Sequence, residues 1–321
     1  MIAVVIPSYR VRNQILSVID RVGREVELIF VVDDMCPEKS GEYVKEKCRD
    51  SRVRVLFHQQ NSGVGGAVKS GYEAAIKAGA SVIVKIDGDG QLDPALISHF
   101  VMPILSGSAD YVKGNRFYSW ELVSTMPKVR FAGNSGLSFI SKLVSGYWSV
   151  MDPTNGYTAI SAKIAEALPL KKINNRYFFE SDMLFRLGTL RAKVIDMPMQ
   201  AIYRDEPSSL SALNSMLTFP PKFVVRFLKR IIYNYFIRDF NIASLYILFG
   251  PPLLIFGVVF GITTWIKSTQ VVASSGTVML AALPTIIGFQ MLVQFISYDI
   301  LMEPKEAVHP LLKVHSNDAS R

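Results

Sequence analysis

Cysteine is nearly absent from this chain: Cys36 and Cys48 are the only two in 321 residues. That excludes a disulfide framework, and their spacing gives no metal-ligand pattern. A reducing cytoplasm is the simplest setting for them. No Gly-Lys-Ser or Gly-Lys-Thr occurs, which removes the P-loop. The glycine-rich loop Asn61–Ala67 does not follow dinucleotide spacing either, so hydride transfer and kinase chemistry lose support. The apolar run Met1–Ile6 is too short for a signal peptide, and Arg10 and Arg12 follow at once. The N-terminal segment is therefore expected to stay in the cytoplasm. Internal repeats and low-complexity tracts are lacking as well.

Charge of either sign is missing from a long stretch near the C-terminus. Between Asp239 and Asp299 the only charged residue is Lys267. Two candidate spans lie there, Ala243 to Ile266 and roughly Thr277 to Tyr298. Each is long enough to supply the ~20 apolar residues that cross a hydrocarbon core. Buried core helices are the alternative, but soluble helices rarely go so long without charge. Acidic residues alone are missing from Pro207 to Arg238, where Lys222, Arg226, Lys229, Arg230 and Arg238 occur. The chain carries a net charge of +8. Because the basic stretch abuts the first span, anionic lipid headgroups explain it better than nucleic acid does. The same asymmetry predicts that both termini are cytoplasmic. Gly-rich faces on the spans leave homo-oligomerisation open.

What is present in the first 115 residues is an alternation of period. Ile2–Ile6, Leu28–Val32, Val53–Phe57 and Val82–Ile86 read as apolar strands, the last as a buried parallel one, with Tyr111–Lys113 as a further strand. Helical stretches separate them over Asn13–Val22, Glu42–Cys48 and Val64–Ala78, and Pro94 opens another. This order predicts an α/β fold, a doubly wound, mostly parallel sheet. Beyond it, Arg130–Val144 and Tyr177–Leu187 read as helices and Val194–Met197 as a short strand suited to the sheet edge. Ser211–Arg238 reads as amphipathic helices on the membrane surface, split at Pro220-Pro221. Phe219, Phe223, Val224, Phe227, Ile231 and Tyr235 form its apolar side, and the basic residues face headgroups.

Asp87-Gly88-Asp89 follows the strand Val82–Ile86, at the edge where open α/β sheets bind ligands. Paired carboxylates suit Mg²⁺ or Mn²⁺ held together with substrate phosphates, so a nucleotide diphosphate is the first expectation. A strand-ending turn is the bland alternative for the tripeptide alone. Three other strand ends carry polar groups that could share the cleft: Pro7-Ser8-Tyr9, Asp33-Asp34 and the loop Asn61–Ala67, which opens a helix as phosphate sites do.

Together these segments resemble the inverting glycosyltransferase family 2, and within it the dolichyl- or polyprenyl-phosphate sugar synthases. The resemblance rests on Val4-Val5-Ile6-Pro7-Ser8-Tyr9, Val31-Val32-Asp33-Asp34, Asn61 to Ala67 and Lys85-Ile86-Asp87-Gly88-Asp89-Gly90-Gln91-Leu92-Asp93-Pro94. It continues through Lys113-Gly114-Asn115-Arg116-Phe117, Asp152 to Tyr157 and Phe178-Phe179-Glu180-Ser181-Asp182. It implies a GT-A fold and a nucleotide-diphosphate sugar as donor. By the same resemblance Pro7, Tyr9 and Asp33 or Asp34 line the nucleotide site with Gly65 of the loop. Asp87 lies at the ribose and diphosphate, and Asp89 binds Mg²⁺ or Mn²⁺ with Asp87 and Gln91 close by. Arg116 and Arg130 hold the acceptor phosphate, and Arg204 with Ser208, Ser209 and Ser211 resembles a third phosphate-facing segment. If a base is needed, Asp152 is the candidate, with Glu180 and Asp182 behind it. Arg10-Val11-Arg12-Asn13 and Met35-Cys36-Pro37 depart from the family pattern at the nucleotide end, which leaves the donor open among UDP-glucose, UDP-GlcNAc and GDP-mannose.

The expected organisation is a cytoplasmic catalytic domain over 1–210, juxtamembrane helices over 211–240, two spans over 241–298 and a cytoplasmic tail over 299–321. The function so implied is metal-dependent transfer of a hexose to polyprenyl phosphate at the cytoplasmic membrane face. A processive polysaccharide synthase is less well supported, because no Arg-Trp pair occurs. A non-catalytic scaffold is disfavoured by the intact Asp-x-Asp.

Overall fold

The computed structural model describes residues 1–119, 128–200, 212–268 and 272–312. A seven-stranded sheet organises the N-terminal part: β1 (Ile2–Ser8), β2 (Leu28–Asp33), β3 (Val53–Phe57), β4 (Val82–Lys85), β5 (Tyr111–Asn115), β6 (Thr158–Ser161) and β7 (Val194–Pro198), in the order β3-β2-β1-β4-β6-β5-β7. All run the same way except β6, which pairs antiparallel to β4 and β5. β7 forms the edge, beside β5.

Strand alternation sorts the core into two layers. Ala3, Val5, Phe30 and Val32 point to one side, and Val4, Ile6, Ile29 and Val31 to the other. Both sides are covered, which is why the strands read as continuous apolar runs. The first face packs against α3 (Val64–Lys77), α6 (Ala162–Ala167) and α7 (Phe179–Leu190). The second packs against α1 (Ile15–Asp20) and α4 (Ile97–Leu105), with Val44 of α2 (Ser40–Lys47). A further helix, α5 (Lys128–Ser145), joins α7 in a small aromatic cluster of Val144, Phe178, Phe185 and Phe223.

Strands β1 to β5, β7 and helices α1 to α5 and α7 lie within a few residues of their predicted positions. β6 and α6 were not anticipated. β6 is only four residues long and is held in place by pairing on both sides rather than by any pattern of its own. The expected break at Pro220-Pro221 is absent. A single helix, α8 (Ala212–Ile232), runs through both prolines and ends in a π turn, Tyr233–Ile237. Each proline removes an i→i−4 bond. Packing compensates: Phe219 and Phe223 stand edge-on to Phe178 at 5.3 and 5.0 Å. Phe219, Phe223 and Phe227 therefore face protein rather than lipid, and Val224, Val225, Leu228 and Ile232 are among the exposed apolar residues.

The described chain divides into two compact units, Met1–Phe227 with the segment from Pro304 onward, and Leu228–Glu303. The second consists mainly of α9 (Ile242–Lys267) and α10 (Ser275–Leu301), both long and apolar enough to cross a membrane. Each contains the span predicted for it. Their glycines are used against each other: a Cβ on Gly288 would stand 2.4 Å from the Leu254 backbone nitrogen, and one on Gly257 2.4 Å from Thr285 Oγ1. Asp299 is buried in this unit and takes both nitrogens of the Arg230 fork at 2.7 and 3.0 Å. Arg230 is thus paired inside the protein, not presented to headgroups.

In the first unit the segment after α10 is strapped to the body that holds the sheet. Asp110, fully buried, accepts the backbone N–H groups of Val308 (2.8 Å) and His309 (2.7 Å), the His309 ring and the Lys193 N–H.

Candidate active site

The carboxyl ends of β4 and β5 and the start of the antiparallel β6 meet at one edge of the sheet. This places the Asp87–Asp89 loop, Asn115-Arg116 and the segment Asp152–Tyr157 side by side. Gly156 marks how close they come, since a Cβ there would stand 2.0 Å from Asp87 Oδ2.

Arg116 and Asp152 form the strongest polar contact of this edge. Arg116 donates from Nε to Asp152 Oδ2 at 2.6 Å and from Nη2 to Oδ1 at 2.7 Å. Asp152 has no exposed surface and sits in the left-handed region at φ 53°, a conformation Asp tolerates. Burial opposes its charge, but the Arg116 hydrogen bonds and Lys113 outweigh that and hold the carboxyl below its usual range. Lys113 lies beneath, 2% exposed, donating to the carbonyls of Met151, Gly114 and Asp152. Burial pushes its ammonium down from the usual range. Asp196 of β7 completes the cluster: Oδ2 accepts from Asn115 Nδ2 (2.9 Å) and Met151 N (2.7 Å), and burial pushes the carboxyl up to about 6.

In the loop after β4, Asp89 Oδ1 accepts the Gln91 backbone N–H at 2.9 Å, which shapes the loop. Asp87 is 34% exposed but gives Oδ1 to Lys85 at 3.0 Å. The Lys85 ammonium, 1% exposed, also reaches Glu180 at 3.2 Å. Burial opposes its charge, yet the two carboxylates prevail and raise its pKa; burial likewise raises that of Glu180.

Other expected site residues have different surroundings. Tyr9 is 43% exposed at the end of β1, beside Pro7. Asp33 and Asp34 are buried and occupied. Asp33 accepts the N–H groups of Cys36 (2.7 Å) and Gly41 (2.6 Å), and Asp34 those of Ser62 (2.8 Å) and Gly63 (2.7 Å) together with His58. Their geometry is that of braces for the loops that follow β2 and β3. Gly65 is packed, not open: a Cβ on it would lie 2.5 Å from Asn174 O, and Gly66 N donates to Asn175 O. One N–H of the first turn of α3 is thus taken by protein.

Asp182 is also fully buried. It accepts Arg226 Nε (2.7 Å) and Nη2 (3.2 Å) and the Asn174 N–H, which gives it the geometry of a brace for α8 rather than of a base. Arg226, read as a headgroup contact, is therefore turned into the protein. Arg130 lies on α5 with its side chain outside the described residues, and Arg204 with Ser208, Ser209 and Ser211 is outside them too. Lys85 and Lys113 were given no role from sequence. The signal was available: each is a charge inside an apolar strand, and lysine is almost never fully buried without partners.

The sequence pattern of Glycosyl transferase family 2 matches residues 3–168. A UDP-N-acetylglucosamine–dolichyl-phosphate N-acetylglucosaminyltransferase from Methanococcus voltae is 30% identical over 233 residues, 68% of this chain and 92% of that protein. An undecaprenyl-phosphate mannosyltransferase from Micrococcus luteus is 27% identical over 208 residues, 63% of this chain and 83% of the relative. Among solved structures, glucosyl-3-phosphoglycerate synthase from Mycobacterium tuberculosis in complex with phosphoglyceric acid aligns with a TM-score of 0.51 at 20% identity, over 72% of this chain and 79% of that one. The chain belongs to glycosyl transferase family 2. It is a glycosyltransferase built on the GT-A fold, followed by two helices of membrane-spanning length.

Proposed function

We propose that this glycosyltransferase moves a hexose from a nucleotide-diphosphate sugar to the phosphate of a polyprenyl lipid, with inversion and with Mg²⁺ or Mn²⁺ at the donor diphosphate. One observation carries the reading: a guanidinium aimed by a fully buried carboxylate, Arg116 on Asp152, stands on the same sheet edge as Asp87 and Asp89. A guanidinium fork suits a phosphate, and the carboxylate pair suits a metal–nucleotide. The relatives named for dolichyl- and undecaprenyl-phosphate transfer support the lipid acceptor. Their sugars keep UDP-GlcNAc and GDP-mannose among the donors, with UDP-glucose.

Asp89, with the Gln91 loop folded on it, would hold the divalent ion, and the fit is that of one carboxylate plus phosphate oxygens. When bound, the ion neutralises charge on the departing diphosphate. Tyr9 and Pro7 would border the nucleotide, braced from below by Asp33 and Asp34. Arg116 would orient the lipid phosphate, with Arg130 as a second basic group. That phosphate is already an anion near neutral pH, so positioning and charge neutralisation supply most of the rate and no strong base is required. Asp152 then acts as the positioning partner of Arg116.

The helix pair would lie in the membrane with both ends on the cytoplasmic side. Support comes from the basic residues before α9 and from the membership of Phe227 and Pro304 in one compact unit, with Val308 and His309 bound to Asp110. The test is transfer of label from radioactive UDP- and GDP-sugars to undecaprenyl phosphate, with Asp89→Ala as control. Organic-phase label from one donor, lost in the control, is expected. Absence of lipid-phase label from every donor, with folded and nucleotide-bound protein, would overturn the reading.

A further inference from the structure

Lys85 ends β4 with its ammonium buried and bound to two carboxylates, Asp87 at 3.0 Å and Glu180 at 3.2 Å. A buried charge requires such partners. Its neighbours belong to different parts of the site: Asp87 to the donor loop, Glu180 to the first turn of α7. Gly156 closes over Asp87 and Lys85, since a Cβ there would also lie 2.9 Å from Lys85 Nζ. Among the described residues no group of three or more His, Cys, Asp or Glu side chains is arranged to hold a metal ion unaided.

We propose that Lys85 is a positioning residue serving as the built-in cation of the donor site: it keeps one oxygen of Asp87 away from the divalent ion, so that Asp89 and the donor's own phosphates carry that ion. This rests on the donor-site reading above. The physical reason is direct. An ammonium in contact with a carboxylate repels a second cation from the same group, strongly so away from bulk water. The nucleotide-free protein then has little affinity for the metal, which arrives and departs with the nucleotide. Through Lys85, which is held at two points, Asp87 also keeps one orientation relative to α7 whether or not donor is present.

The test is a Mn²⁺ titration of the full-length, detergent-solubilised protein without nucleotide, read by the EPR signal of free Mn²⁺. Lys85→Met is expected to bind Mn²⁺ at least ten-fold more tightly than the parent, because it releases Asp87 to the ion. A folded Lys85→Met with unchanged or weaker Mn²⁺ affinity would overturn the proposal. Should that variant fail to fold, Lys85→Met/Glu180→Gln removes the ammonium together with one of its carboxylates and keeps the buried charge balanced. The same ten-fold tightening is expected of it relative to Glu180→Gln alone, and its absence counts equally against the proposal. Neither donor sugar nor lipid enters the titration. A failed transfer assay would therefore overturn the proposed function and leave this result standing, and the reverse holds.

Discussion

Replacing Asp152 by Asn isolates what this carboxylate does. Asn tolerates the left-handed backbone at φ 53° about as well as Asp, so the loop keeps its conformation. What is lost is the charge beneath Arg116 and the paired acceptors at 2.6 and 2.7 Å. Hydrogen bonds to charged groups contribute about 1.5–3 kcal/mol each, and breaking a buried pair from one side costs about 3–5 kcal/mol. Arg116 is 19% exposed and can recover some water, and the amide oxygen still accepts one bond. A net loss of about 2–3 kcal/mol follows, or about 5–10 °C in Tm for a domain of this size. In the lipid-transfer assay a misaimed guanidinium should raise the acceptor KM and lower kcat/KM by about 10²-fold while donor affinity stays. A fall confined to kcat, with acceptor KM and Tm unchanged, would refute this and restore Asp152 to the role of base. The depressed pKa adds a pH signature. A carboxyl held below its unfolded value stabilises the fold above that value, about 3.9, and the contribution disappears as pH falls further.

Three more outcomes follow from the same geometry. Asp196 has the opposite sign: its carboxyl is pushed up to about 6, so it favours folding when protonated, a contribution complete below about pH 4 and lost as pH rises through about 6. Asp196→Asn should therefore flatten the stability difference between pH 5 and pH 7 in thermal melts, and an unchanged slope would contradict it. Asp110→Ala leaves the N–H groups of Val308 and His309 without their acceptor, so hydrogen exchange over 304–312 should rise by at least ten-fold while the sheet stays protected. Arg226→Ala strands the fully buried Asp182 and should cost about 3 kcal/mol, measured by denaturant midpoint; Asp182→Asn in the same background should recover part of it.

Much of this molecule is legible along the chain. Strands β1, β2 and β4 announce themselves because burial on both faces favours near-continuous apolar runs. Asp87 and Asp89 are found by their position after such a strand, and α9 and α10 by the absence of charge over a bilayer's length. These are properties of neighbours in sequence, and local physics suffices for them. β6 is not of that kind. Thr158–Ser161 is a strand because β4 and β5 flank it, and its reversed direction is what brings Asp152 to the edge that carries Asp87 and Asp89. Nor is the uninterrupted α8, where aromatic packing on Phe178 overrides two prolines.

The pairing of charges was decided by tertiary structure alone. Arg116 meets Asp152 across 36 residues, Arg226 meets Asp182 across 44, and Lys85 meets Glu180 across 95. Sequence determined which ionisable groups exist and which strand ends carry them. It could not say that Asp33, Asp34 and Asp182 would be spent as braces, or that two basic residues expected at the membrane would turn inward. A carboxylate's role depends on what desolvates it and what stands within 3 Å, and both are fixed only when segments far apart in the chain pack together.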